Sequence, residues 1–174
     1  MTTLEFSQWS KWDNRESKLK DELQHRGIYA LRISKSDLEG QPFDLVRDIV
    51  YFGMTNSVAG LKGRLSQFNN TLRDKSGSGH GGADRFRNDY ESKEEAEELA
   101  NTLYVAVWKF ICGHDDTPEN LRKRGDVAKA EYEAFAEYVA RFTELPKYNN
   151  RKSEKLSKRK LIIPAVPAQK SAHS

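Results

Sequence analysis

Two tyrosines, an arginine, a histidine, a glutamate and an asparagine are the residues of this chain whose types and order could do chemistry. Tyr29 closes the triplet Gly27-Ile28-Tyr29, and Tyr51 opens the triplet Tyr51-Phe52-Gly53. A phenol can donate or accept a hydrogen bond and, when its pKa is lowered, take a proton. Arg64, His80, Glu131 and Asn149 follow in that order. A guanidinium can hold two oxygens of an anion at once. A carboxylate supplies the oxygen donor that a hard divalent cation requires. Together these groups could set an anionic substrate against a cation and move a proton beside it.

The elements that must position them are legible in part. Residues 27–34 alternate and are rich in Ile, Leu and Tyr, which predicts a strand; residues 48–54 and 103–111 predict two more. Between the first two, residues 35–47 contain Gly40, Pro42 and several acids and read as a loop. In the helix after the second strand, at about 100° per residue, Leu61, Leu65, Phe68 and Leu72 share one stripe. Arg64 sits on its flank with Gln67 and Thr71. Ser92 followed by Glu95 forms a capping box for a helix through Asn101. Thr117-Pro118 marks the start of the last helix. There Ala128, Tyr132, Phe135, Val139 and Phe142 form the predicted apolar stripe, with Glu131 on its flank. Glu133 and Glu137 then point nearly opposite, into water, so Glu131 is the candidate carboxylate.

His80 lies in the run Ser76-Gly77-Ser78-Gly79-His80-Gly81-Gly82. Glycines let backbone N–H groups approach a phosphate closely, and an imidazole can act as an acid or contact that phosphate. A flexible turn with an exposed histidine is the other reading. Residues 83–91 carry Asp84, Arg85, Arg87 and Asp89 around Phe86 and Tyr90. That mixture suits contacts to a nucleic-acid groove or backbone, and equally a charged surface loop.

At 174 residues the chain is long enough for one domain with a real core and short for two. Charged residues make up 32%, so the surface must be heavily charged and some segments should lie outside the core. No run approaches the length of a membrane span, and polar residues after Met1 do not read as a signal peptide. A cytoplasmic protein with no membrane partner is expected. Cys112 is the single cysteine, too few for an intrachain disulfide or a structural zinc site, and is expected to be a buried small hydrophobe. The net charge of +3 conceals an asymmetry, because from Lys147 onward eight Lys or Arg face only Glu154. Such a tail suits phosphate neutralisation with counterion release; a merely solubilising tail would have the same composition. Residues 6–25 place Phe6, Trp9, Trp12, Leu19 and Leu23 among dense charge, which predicts one or two helices anchored by aromatics. A clamp on DNA and an arm that completes a core or a dimer contact both remain open.

Taken in order, Gly27-Ile28-Tyr29, Tyr51-Phe52-Gly53-Met54-Thr55, Arg64, Glu131 and Pro146 to Asn149 resemble the GIY-YIG nuclease family. The resemblance covers roughly residues 27 to 149. Phe52 stands for the usual isoleucine, apolar for apolar. Phe68 occupies the place, one turn after the arginine, where such enzymes often carry histidine or lysine, and His80 is the candidate to fill that vacancy.

The resemblance implies an α+β fold, with a small three-stranded, mainly antiparallel sheet flanked by helices. The order of two strands, a helix, a third strand and a long helix agrees with it. A helical arm (1–26) would precede the nuclease domain (27–150), and a basic tail (151–174) would follow. The implied activity is hydrolysis of DNA phosphodiester bonds with Mg²⁺ or Mn²⁺. Tyr29 would be the general base, Tyr51 would orient water or phosphate, and His80 would assist. Arg64 would hold the nonbridging oxygens, where negative charge builds in the transition state. Glu131 would hold the metal. Asn149 would stiffen the site from behind, with Asn150 its nearest competitor. Double-stranded DNA is the expected partner, contacted by Arg85 and Arg87 and by Lys152, Lys158, Arg159 and Lys160 of the tail. The long first connection resembles the type II restriction-endonuclease branch, whose extra loops near the site help to read DNA. A homodimer would match a palindromic site. Structure-specific repair, mobile-element cutting and a catalytically silent DNA-binding module are the alternatives; the intact Tyr29, Arg64 and Glu131 favour an enzyme.

Overall fold

The computed structural model describes residues 3–73, 75, 79–90 and 92–149. Their centre is an antiparallel sheet. Strand β2 (Arg26–Ile33) pairs with β3 (Ile49–Thr55) on one side and with β4 (Leu103–Phe110) on the other. A short strand, β1 (Ser10–Lys11), adds to the outer edge of β4, giving the order β1-β4-β2-β3. The fold is therefore α+β with four strands, one more than the three expected. A two-residue strand is too short to show any alternation, so nothing in residues 10–11 announces it.

Successive side chains of a strand point to opposite faces, and here each face builds its own core. Tyr29 and Leu31 of β2 enter one apolar cluster; Ile28 and Ala30 enter the other. The first is covered by α3 (Gly60–Leu72), α4 (Gly81–Arg87) and α5 (Lys93–Thr102). Leu61, Leu65, Phe68 and Leu72 are all buried there, as the stripe predicts. The second is covered by α6 (Pro118–Phe142). Both predicted caps are present: Ser92 Oγ accepts from Glu95 N at 3.2 Å, and Thr117 Oγ1 from Asn120 N at 3.3 Å.

The face that α6 buries differs from the expected one. Val127, Ala130, Ala134 and Tyr138 are buried, whereas Tyr132 is 72% exposed and Val139 also faces water. Phe135 and Phe142 lie at the margin of the core, and Glu133 and Glu137 are half-buried rather than in water. The helix carries two apolar stripes, and the small side chains of the true one, two alanines among them, let it lie close on the sheet. Hydrophobic periodicity favours the bulkier stripe, although close packing can select the thinner one.

The N-terminal segment is less helical than expected. It forms β1, a 3₁₀ turn at Trp12–Asn14, and the four-residue helices α1 (Arg15–Lys18) and α2 (Lys20–Leu23). Trp9 sits in one core and Trp12 in the other, and their indole N–H groups donate to Asp44 and Asn69. These aromatics complete the core and are not available as a clamp. The loop at 34–48 is pinned to the second of these cores by Phe43 stacked on Phe6 at 4.3 Å. Cys112 is half-exposed, not buried, with its sulfur 3.5 Å from the Arg26 guanidinium. No described helix is long and apolar enough to cross a membrane.

Candidate active site

The register of β2 on β3 decides how the tyrosines meet. Tyr29 lies opposite Gly53, and Leu31 lies opposite Tyr51. The two tyrosines are thus diagonal neighbours on one face, with ring centroids 6.0 Å apart. The absence of a side chain at Gly53 makes room for them. A Cβ there would come within 2.5 Å of the Tyr29 hydroxyl and 2.8 Å of Tyr51 Cε1. Gly82 plays the same part from α4, where a Cβ would come within 2.5 Å of the Tyr51 hydroxyl.

His80 is the N-cap of α4 and is only 1% exposed. Its Nδ1 accepts from the backbone N–H groups of Gly82 at 2.9 Å and Ala83 at 3.3 Å. A nitrogen that receives two N–H groups carries no proton of its own, so in the neutral ring the proton is on Nε2. That nitrogen lies 2.8 Å from the Tyr29 hydroxyl oxygen. His80 therefore donates to Tyr29, and Tyr29 must direct its own proton elsewhere. Burial, and then the positive charge of Arg64, lower the His80 pKa from 6.5 to about 4. Thr71 on α3 anchors the segment by accepting from His80 N at 2.8 Å. The exposed-turn reading of His80 is thus replaced by a buried, neutral donor. With both ring nitrogens engaged, His80 has none left for a phosphate.

Arg64 and Glu131 stand on α3 and α6, which cover opposite faces of the sheet, and the charge of Arg64 is felt at the Glu131 carboxyl. Burial raises the Glu131 carboxyl above its usual 4.5, and Arg64 opposes that shift. Burial pushes the Tyr29 phenol well above 10.0 and raises Tyr51 as well, while Arg64 pulls both down. Arg64 thus couples the tyrosines to the carboxylate. Its Nε is buried without a partner, Nη1 donates to Gln67 Oε1 at 3.4 Å, and the guanidinium also interacts with the Tyr29 hydroxyl. Beside it an open pocket of about 360 Å³ is lined by Thr55, Asn56, Ser57, Gly63 and Gln67 among others. A guanidinium so placed could take two oxygens of an anion.

Asn149 acts on β3 from the sheet edge. Its side chain accepts from Phe52 N and donates to Phe52 O, both at 2.8 Å, as a neighbouring strand would. Tyr148 N adds a bond to Val50 O. The edge strand that carries Tyr51 and Gly53 is thereby held on the side where, among the described residues, no further strand pairs with it. Arg85 donates to Tyr148 O at 2.6 Å and lowers the pKa of Tyr51, so it serves the site's own framework; Arg87 is exposed on α4. Lys152, Lys158, Arg159 and Lys160 lie outside the described residues.

Thr71, Gly82 and Tyr148 lie in segments that the sequence singles out, but no part in the site was assigned to them. Tyr148 stacks on Phe86 at 3.8 Å and donates to Asp89 at 2.9 Å. An aromatic between Pro146 and Asn149 was its only signal. No group of three or more His, Cys, Asp or Glu converges as a metal cage among the described residues. A single carboxylate completed by waters and substrate oxygens still fits Mg²⁺, which keeps several waters and takes one or two carboxylates. Glu131, half-buried and with only Arg64 to offset its charge, is such a carboxylate. The chain has no match among protein-family models, curated proteins or solved structures.

Proposed function

We propose that this chain is a Mg²⁺-dependent DNA endonuclease of the GIY-YIG kind, most like a type II restriction enzyme. The observation that carries the reading is Arg64: an under-satisfied guanidinium over an open pocket, electrostatically linked to two buried phenols on one side and to a half-buried carboxylate on the other. The described residues from β2 to Asn149 stand in the order and on the types of element that the family resemblance leads one to expect.

In this reading Arg64 binds the scissile phosphate through Nε and Nη, and its hold strengthens as charge builds on the nonbridging oxygens. Glu131 holds the divalent ion, which supplies charge neutralisation and lowers the pKa of groups beside it. Tyr29 takes the proton of the attacking water. Burial opposes that role, so Tyr29 needs positive charge nearby to ionise; Arg64 supplies one such charge and Glu131 recruits another. His80 donates from Nε2 to the Tyr29 oxygen, whose other polar neighbours are Tyr51 and Arg64. Tyr51, nearer the surface, orients water or phosphate. Asn149 and Arg85 hold the strand and turn that carry these groups.

The test is incubation of the purified protein with long, sequence-diverse duplex DNA and Mg²⁺, beside Glu131→Ala, followed by sizing of the fragments. Discrete bands from the parent alone are expected. A smear would assign a nonspecific or structure-directed nuclease. Intact DNA in both lanes, with binding retained, would leave a silent DNA-binding module and sink the enzyme reading.

A further inference from the structure

The pocket beside Arg64 is walled by a stretch of chain that carries no acid. From Ile49 to Arg73 there is no Asp or Glu, although acids make up 26 of the 174 residues. Every residue that lines the pocket lies within that stretch, and Arg64 is the cation among them. At about 360 Å³ the pocket has the size of a small-molecule site rather than of a lone ion. Its lining therefore suits an anionic organic ligand, and a second residue of that lining stands beside the guanidinium. Arg64 and Gln67 are three residues apart on α3, which makes their side chains neighbours on one face of the helix. Arg64 Nη1 donates to Gln67 Oε1 at 3.4 Å. A guanidinium can only donate, so the amide must turn its oxygen towards it and its NH₂ group away. That NH₂ group has no hydrogen-bond partner among the described residues, and Gln67 is half-buried.

If steadying Arg64 were the whole part of this residue, a glutamate would do it better, since an ion pair at this spacing also stabilises the helix. A carboxylate, however, would offset the charge of Arg64 and repel an anionic ligand. The amide touches the guanidinium without cancelling its charge and places a further donor next to it. We propose that Gln67 is a second substrate-binding residue of this site: its Oε1 steadies Arg64, and its Nε2 donates to an oxygen of the phosphate diester that Arg64 holds. The nitrogen and oxygen of the amide share one carbon, so a phosphate that reaches the guanidinium is within reach of both side chains. The inference rests on the phosphodiesterase reading above and extends it to a residue that the helical pattern placed only on the flank beside Arg64.

The test uses the full chain and two readouts. In metal-free protein isotope-labelled on nitrogen, titration with dimethyl phosphate should move the NMR signals of the Gln67 NH₂ group and of Arg64 Nε–H on one binding curve. Gln67→Met keeps the length of the side chain and removes both polar ends. It should weaken that binding, and lower kcat/KM for duplex cleavage, by about ten- to a hundredfold, the worth of one hydrogen bond to a charged group. Gln67→Glu keeps the acceptor for Arg64 but loses the donor, and should lower both further. Gln67 signals that stay in place throughout the titration would overturn the inference. So would a Gln67→Glu protein as active as the parent, because holding Arg64 would then be the residue's only part. Gln67 signals that move in a protein that cuts no DNA would sink the nuclease reading and keep the phosphate donor. Cleavage unimpaired by Gln67→Met would keep the nuclease and sink the donor.

Discussion

Replacing His80 by asparagine tests the central claim about the site, that its imidazole is buried, neutral and a donor. Asparagine is a good N-cap and can still accept from Gly82 N, so α4 should survive. The reach to Tyr29 is lost, and at neutral pH the substitution should cost about 1–3 kcal/mol for the unpartnered phenol and the space left behind. The sharper signature lies in pH. The folded pKa of about 4 lies below the ordinary 6.5, so the unfolded chain binds the proton more readily and stability falls as pH falls from about 6.5 towards 4. The full gap is worth about 3 kcal/mol. Between pH 7.5 and pH 5 it should remove about 2 kcal/mol from the parent. Urea unfolding of both proteins across that range measures the difference directly, because every other titrating group is common to the two. The stability difference between them should shrink by about 2 kcal/mol on acidification. An unchanged difference, or a His80 ring seen by NMR to titrate near its ordinary pKa with its proton on Nδ1, would refute the assignment.

Three further outcomes follow from the same geometry. Gly53→Ala places a Cβ within 2.5 Å of the Tyr29 hydroxyl in a buried site; a stability loss of about 1–3 kcal/mol and a large drop in DNA cleavage are expected, read by urea unfolding and fragment sizing. Asn149→Ala removes both bonds to Phe52. It should lower stability by about 1–3 kcal/mol, and raise hydrogen exchange of the β3 amides more than those of β4. Deleting residues 157–174 removes Lys158, Arg159, Lys160 and Lys170; DNA affinity should fall and the slope of log K against log salt should flatten by up to about 4, with the cleavage positions unchanged. An unaltered slope would show the tail to be passive.

Much of this molecule can be read from local rules, because local rules act on near neighbours. The three longer strands, the buried stripe Leu61 to Leu72, the caps at Ser92 and Thr117, and the flanking place of Arg64 depend on periodicity and side-chain hydrogen bonds within a few residues. The chemical types of Tyr29, Tyr51, Arg64, Glu131 and Asn149 were equally legible. Their meeting was not. Arg64 and Glu131 stand on helices that cover opposite faces of the sheet, and their electrostatic coupling depends on tertiary packing that no local pattern encodes. The state of His80 depended on two backbone N–H groups and a phenol 51 residues away. Which stripe of α6 turned inward was settled by how closely the helix could lie on Ile28, Ala30 and Phe52, a matter of shape between distant segments. Sequence periodicity shows that a face is apolar; only packing against the rest of the chain selects the face that is buried.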